Sequence, residues 1–154
     1  MATEIERKFL VHKELLPALT NGQHLVQGYI PTAEKTAVRI RIKGQQAWLT
    51  IKGANQGASR LEFEYPIPLE DAETMLQELC TGGAIDKHRY EIEHQGLTWE
   101  VDVFAASNAG LIVAEVELDD EQQAVSLPAW AAEEVTHDVR YYNNQLLQNP
   151  VSDW

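Results

Sequence analysis

A chain of 154 residues, 44% of them apolar, is long enough for one domain with a core of its own and too apolar for a disordered segment. Its single cysteine, Cys80, excludes an internal disulfide and a thiolate metal cluster. The formal charge of −12, from 24 acidic and 12 basic side chains, argues against nucleic acid and anionic membranes as partners. The first residues carry neither a basic stretch nor an apolar run. The longest apolar run, LIVA at 111–114, is far too short to cross a bilayer. The expectation is a cytoplasmic protein, one domain over residues 1–154, with oligomeric state left open and a homodimer among the options.

In chain order, residues 4–11 read EIERKFLV and alternate Glu4, Glu6 and Lys8 with Ile5, Arg7 and Phe9. Residues 13–19 suggest a short helix. Residues 26–31 form a short apolar strand. Residues 36–43, TAVRIRIK, set Val38, Ile40 and Ile42 against Arg39, Arg41 and Lys43. Gly44-Gln45-Gln46 reads as a hairpin turn, and residues 47–52 return with Trp48, Thr50 and Lys52 on one face. A polar loop over 53–59 leads to residues 60–67, where Arg60, Glu62 and Glu64 oppose Leu61, Phe63 and Tyr65. Pro68 opens a helix over 69–80, with Leu69, Ala72, Met75, Leu76 and Leu79 at helical spacing and Gly82-Gly83 as its stop. Strands follow over 87–94, 97–104 and 111–119, then a helical turn at 119–124 and a helix from about 138 to 148. Alternation over such lengths is the mark of half-buried strands. The class is α+β, dominated by one antiparallel sheet of eight strands.

A strand with one charged face reads most simply as the wet side of an antiparallel sheet. The set is harder to explain that way. Arg39, Arg41 and Lys43 put three cations on one strand face. Carboxylate pairs recur at Glu4/Glu6, Glu62/Glu64, Glu100/Asp102 and Glu115/Glu117. Neighbouring like charges repel unless a counter-ion sits between them. Residues two apart on a strand stand roughly 7 Å apart and point the same way, so long Glu side chains can converge on one cation or each serve one of two ions. Paired carboxylates suit hard cations such as Mg²⁺ or Mn²⁺. Paired Arg and Lys suit phosphate oxygens. Eight strands can close into a barrel with room for a small ligand. If the charged faces turn inward, the barrel is a tunnel for metal and a small polyanion.

The opening Glu4-Ile5-Glu6-Arg7-Lys8 resembles the E-x-E-x-K signature of the CYTH superfamily, the triphosphate tunnel metalloenzymes. The ordered set RIRIKG (39–44), TIKG (50–53), EFEYPI (62–67), DKHRY (86–90), WEVDVF (99–104), AEVEL (114–118) and THDVRYYN (136–143) extends that resemblance over nearly the whole chain. It implies an eight-stranded antiparallel barrel that binds triphosphates and divalent metal, Mg²⁺ or Mn²⁺, in its tunnel. Members of the family hydrolyse tripolyphosphate, thiamine triphosphate or RNA 5′-triphosphate, or are class IV adenylyl cyclases. The run EIERKFLV and the compact length look most like the small bacterial tripolyphosphatase branch.

With the family as context, Glu4, Glu6, Glu115 and Glu117 are expected as metal ligands, with Glu62, Glu64, Glu100 and Asp102 completing the shells or orienting water. Lys8, Arg39, Arg41, Lys52, Arg89 and Arg140 are assigned to phosphate oxygens. Lys87 is expected to act on the leaving phosphate or on the nucleophilic water, held by Tyr29, and Glu4 and Glu6 join these two as the catalytic set. Lys43 is a mouth residue or merely solvated. Arg7, Lys13, Lys35 and Arg60 are read as solvated. The five histidines lack metal spacing. Trp48 is a tunnel or rim residue, while Trp99 and Trp130 are core. The expected reaction is metal-dependent hydrolysis of a triphosphate, with tripolyphosphate first. Alternatives are an adenylyl cyclase, a thiamine or nucleoside triphosphatase, and a non-catalytic polyphosphate-binding module. No nucleic-acid or membrane partner is expected.

Overall fold

The structure, a computed structural model, describes residues 3–154. Nine strands and two short helices follow in order: β1 (Thr3–Val11), β2 (Gln23–Ile30), β3 (Ala37–Lys43), β4 (Gln46–Lys52), β5 (Ser59–Ile67), α1 (Leu69–Glu78), β6 (Ile85–His94), β7 (Leu97–Phe104), β8 (Ile112–Glu117), β9 (Ala131–Glu134) and α2 (Asn143–Gln148). The sheet order is β5-β4-β3-β2-β6-β7-β8-β1-β9, with a further β5–β1 pairing. Eight strands therefore close into an antiparallel barrel, and β9 is an addition to it. Closure depends on β1. One edge pairs Glu6–Leu10 with β8. The other edge is split: Thr3, Glu4 and Ile5 pair with Leu61, Arg60 and Ser59 of β5, and Phe9 and Val11 pair with β9.

Most of the apolar packing lies outside the barrel, because most of the apolar strand residues point outward. Phe9, Trp99, Val101, Ala114 and Val116 from β1, β7 and β8 pack under Leu118 and Trp130. Trp99 is fully buried, 5.4 Å from the Phe9 ring and 5.5 Å from the Trp130 ring. On the opposite wall Ile40 and Ala47 pack under Ala72 and Cys80, at and just beyond α1. The helix approaches β2 so closely that a Cβ on Gly28 would lie 2.9 Å from the Cys80 Cβ. The third cluster is different. Ile85, Phe104 and Val113 share their strand faces with Lys87, Asp102 and Glu115, and with Leu10 they meet Tyr141 and Leu146 of the C-terminal segment. At this end the barrel interior is apolar, and the C-terminal segment packs into it.

Several elements depart from the sequence reading. The strand β9 has no alternating pattern and exists because β1 leaves half an edge free. The helix expected at 13–19 is one 3₁₀ turn, Lys13–Leu15, because Leu16 precedes Pro17 and takes an extended backbone (ψ 139°). The helix expected over 138–148 is broken at Tyr142, also extended (ψ 137°), between a 3₁₀ turn at Val139–Tyr141 and α2. Residues 119–124 form turns instead of a helix. The β3–β4 turn is two residues, with Lys43 paired to Gln46 and Gly44 at φ +63°, a value that glycine tolerates. Among the described residues no helix is long and apolar enough to cross a membrane.

Trp99→Ala removes the ring that joins the outer faces of β1 and β7 to the Trp130 segment. It is expected to lower unfolding free energy by about 3–5 kcal/mol in urea titration.

Candidate active site

Closing the sheet turns alternation along each strand into an inside and an outside. The lining of the resulting cavity draws on all eight barrel strands: Glu4, Glu6 and Lys8 from β1, Tyr29 from β2, Arg39 and Arg41 from β3, Lys52 from β4, Arg60, Glu62 and Glu64 from β5, Lys87 and Arg89 from β6, Glu100 from β7, and Glu115 and Glu117 from β8. The volume is about 190 Å³, below the roughly 300–1,000 Å³ of sites for drug-sized ligands. Beyond Tyr29, Arg60 and Tyr142 lies a wider recess of about 590 Å³, between the 31–36 loop and α2.

The cations and carboxylates are interleaved. Lys52 Nζ donates to Glu4 Oε1 at 3.0 Å and lies 3.3 Å from Glu62 Oε2. Arg60 Nε is 3.6 Å from Glu4. Arg39 reaches Glu64 at 3.3 Å, and Lys8 stands 4.0 Å from Glu115. Arg89 forks onto Asp102 at 2.7 and 2.9 Å and meets Glu100 at 3.2 Å. Lys87 Nζ donates to Asp102 Oδ2 and to Asn143 Oδ1, both at 2.8 Å.

Two cations keep unspent capacity. Arg39 Nε is buried and, among the described residues, has no hydrogen-bond partner. Arg41 Nε donates to the neutral amide oxygen of Gln27 at 2.7 Å, and Arg41 forms no ion pair among the described residues. Burial, followed by Arg39 and Arg89, pushes Arg41 down to about 9. A buried donor without an acceptor and a buried cation without a counter-charge both favour an incoming anion.

The carboxylates show the complementary strain. Burial first, then Glu115 and Glu4, holds Glu6 well above the ordinary range. Burial acts the same way on Glu115, but Lys8 and a hydrogen bond from Glu6 outweigh it and hold Glu115 well below. Burial and the closeness of the two charges push the pair in opposite directions. Glu62 is raised by burial and by Glu4. On Glu4 itself, Lys52 outweighs burial and lowers it. Glu100 and Glu117 are raised, mainly by burial. Oxygen donors whose charged form is disfavoured for want of positive charge fit a hard divalent cation. Among the described residues no three of these groups already converge on a metal position. The fit is thus to carboxylate pairs whose shell is completed by water and phosphate oxygens, the mode Mg²⁺ favours.

Three expectations change. Asp102 is not free to bind metal: it is 1% exposed and both its oxygens are taken by Lys87 and Arg89. Arg140 lies outside the cavity, exposed, its guanidinium on Asp138 at 2.8 Å and over the Tyr141 and Trp154 rings. Its position in a 3₁₀ turn instead of a helix start turns it outward. Lys87 is held by Asn143, while the Tyr29 hydroxyl accepts from Gln27 at 3.3 Å. Burial, opposed by Asp102 and reinforced by Arg89 and Arg41, brings Lys87 down to about 7.

The site also holds Arg60, which the sequence reading took as solvated, and residues that reading passed over. Arg60 lines the cavity, and its alternation with Glu62 and Glu64 already placed it on their face. The others come from the C-terminal segment. Lys8 N–H donates to Thr136 Oγ1 at 3.0 Å, Lys8 Nζ lies 5.1 Å from the Tyr142 ring centre, and the Tyr142 hydroxyl receives Asn55 at 2.7 Å. No spacing in the sequence announces these contacts.

The fold and its lining define a charged-bore β-barrel, with buried cations and buried carboxylate pairs facing one cavity. The CYTH domain profile matches residues 2–147, and the chain belongs to the CYTH domain family. It is 42% identical over 154 residues to an inorganic triphosphatase of Acetivibrio thermocellus, covering 100% of this chain and 99% of that one. It is 38% identical over 152 residues to an inorganic triphosphatase of Nitrosomonas europaea, covering 94% and 96%. A crystal structure of an inorganic triphosphatase superposes with a TM-score of 0.67 at 36% identity, covering 96% of this chain and 95% of that one. A Bacillus halodurans structure proposed to be an adenylate cyclase superposes at 0.65 over 79% of this chain and 84% of that one, but at 21% identity it attests the fold alone.

The raised Glu6 gives a test that needs no turnover. A carboxyl raised in the folded state lends stability that is fully present below its ordinary value of 4.5 and lost as pH climbs through the raised value. Metal-free Glu6→Gln protein should therefore melt higher than the unaltered protein at pH 8, with the gap closing towards pH 4.5. Mg²⁺ or Mn²⁺ should raise the Tm of the unaltered protein and raise that of Glu6→Gln less. Calorimetric melts with and without metal check both.

Proposed function

We propose that the protein hydrolyses inorganic tripolyphosphate to pyrophosphate and phosphate inside the barrel, in a reaction dependent on Mg²⁺ or Mn²⁺. The observation that carries this reading is the free donor of Arg39 and the unpaired charge of Arg41 beside crowded carboxylate pairs in one small cavity. An anion alone would satisfy the first and a cation alone the second. A metal–polyphosphate complex satisfies both. The family and the triphosphatase relatives support the same direction.

Lys8, Arg39, Arg41, Lys52 and Arg89 receive phosphate oxygens, the three arginines through free N–H groups and the lysines as point charges. Glu4, Glu6, Glu115 and Glu117 hold the metal, with Glu62 and Glu64 able to share it. A hard cation held there would neutralise phosphate oxygens and acidify bound water. Lys87 handles the proton. As an amine it donates two N–H groups, to Asp102 and Asn143, which leaves its lone pair free on a residue of the cavity wall. There it takes a proton from the water that attacks the terminal phosphorus in line; the P–O bond to the rest of the chain breaks, and the leaving oxygen departs with the bond pair. Asp102 keeps the lysine in place without touching substrate, and the fork of Arg89 holds Asp102. Tyr29 presents its hydroxyl on the same wall.

A second reading, a triphosphate with an organic group such as ATP, draws on the wider recess at Tyr29, Arg60 and Tyr142. One assay separates the two. Purified protein is given tripolyphosphate or ATP, with and without Mg²⁺ or Mn²⁺, and products are resolved by chromatography. Metal-dependent phosphate and pyrophosphate from tripolyphosphate, with ATP nearly untouched, is the expected result. Cyclic AMP and pyrophosphate from ATP would overturn it in favour of a cyclase.

Lys87 makes a second prediction. Activity should rise with pH through about 7 as its amine loses the proton. Lys87→Met should lower kcat by about 100-fold or more and remove that limb from the pH–rate profile.

A further inference from the structure

Two amide side chains stand between the cations of the bore. Gln27, on β2, is fully buried and sits behind the cavity wall. Its Oε1 accepts from Arg41 Nε at 2.7 Å, and its Nε2 donates to Asn143 Oδ1 at 3.1 Å and to the Tyr29 hydroxyl at 3.3 Å. Asn143, the first residue of α2, lines the cavity, and its Oδ1 also accepts from Lys87 Nζ at 2.8 Å.

The direction of every bond in this chain follows from what its ends can do. A guanidinium only donates, so the Gln27 oxygen must face Arg41. The Gln27 NH₂ must then face the other way and find an acceptor. Asn143 supplies its oxygen. Lys87, charged or neutral, also donates, and it needs that same oxygen. Both requirements turn the Asn143 carbonyl into the protein. The Asn143 NH₂ is left on the other side of the amide, and it donates to no protein acceptor among the described residues.

We propose that Asn143 is a further substrate-contacting residue, its Nδ2 donating to a phosphate oxygen beside Lys87, and that Gln27 is the positioning residue that fixes this polarity from Arg41 inward. The proposal rests on the reading of the bore as a triphosphate site. An asparagine turned the other way would offer its oxygen to the polyanion, and that orientation repels. Gln27 removes the choice. The same chain ties the cation that lacks a counter-charge to the lysine that handles the proton, so Arg41, Lys87 and the α2 amide are set as one unit.

The decisive variant is Gln27→Glu. It keeps the size and the oxygen facing Arg41, but its second oxygen only accepts. Asn143 must then turn its NH₂ inward and its oxygen to the bore, and Lys87 loses an acceptor. The kcat/KM for tripolyphosphate should fall about 10- to 100-fold, the worth of a hydrogen bond to a charged group. Asn143→Ala should fall by a similar factor. Adding Gln27→Glu to Asn143→Ala should cost less than about threefold more, because the residue it acts through is gone. Unchanged kinetics in Gln27→Glu, or losses that multiply in the double variant, would overturn the proposal; a residue that only packs would give the first of these with a lowered Tm. A readout free of turnover keeps the test sound if Gln27→Glu fails to fold. The Asn143 side-chain NH₂ resonances of the ¹⁵N-labelled, unaltered protein should shift when tripolyphosphate is added. A shift without hydrolysis would sink the hydrolase reading and leave this one standing. Hydrolysis without a shift would do the reverse.

Discussion

Barrel closure is the constraint on which everything else depends. An open sheet with charged residues on one face would solvate them. Joining Thr3, Glu4 and Ile5 to β5 seals that face, and each charge must then find a partner inside. Lys87 and Asp102 are 1% exposed, and Lys8 and Glu115 are buried with them. Charges at that depth persist only in pairs and networks. The interleaving of Lys52 with Glu4 and Glu62, and of Asp102 with Lys87 and Arg89, is the result.

The pairing is deliberately incomplete in its outcome. Arg39 keeps a free donor, Arg41 has a neutral partner, and Glu6 and Glu115 are pushed in opposite directions from the ordinary carboxylate range. These groups gain most when a polyanion and a hard cation arrive together. Binding then returns free energy that folding had left unrealised, and the ligand stabilises the barrel by mass action. Site and fold stability are linked for that reason.

Filling the bore with charge moves most of the apolar core outside. Helix α1 covers one wall and the segment around Trp130 covers another. The C-terminal segment has two roles. Leu146 and Tyr141 pack into the apolar end of the barrel, and that anchoring sets Tyr142 against Lys8 and Asn143 against Lys87. Packing at one end of the barrel thus positions polar groups in its middle.

Period-two alternation is a local property of the chain, and the sequence by itself determined whatever follows from it: the eight barrel strands, the shared faces of Glu4/Glu6/Lys8, Arg39/Arg41, Lys87/Arg89 and Glu115/Glu117, and the sign of charge on each face. Arg60 was equally legible, since it alternates with Glu62 and Glu64. Other features depended on contacts between residues far apart in the chain. The added strand β9 answers a vacancy on β1 that no local pattern encodes. Asp102 reads like any strand carboxylate until Lys87 and Arg89 are seen to enclose it. Arg140 reads like a phosphate ligand until the break at Tyr142 turns it outward. Gln27 and Asn143 are 116 residues apart and meet only because the C-terminal segment enters the barrel. Only the tertiary structure decided which buried charges are matched within the protein and which are left for a ligand, because that depends on distances across the bore and local periodicity carries no information about them.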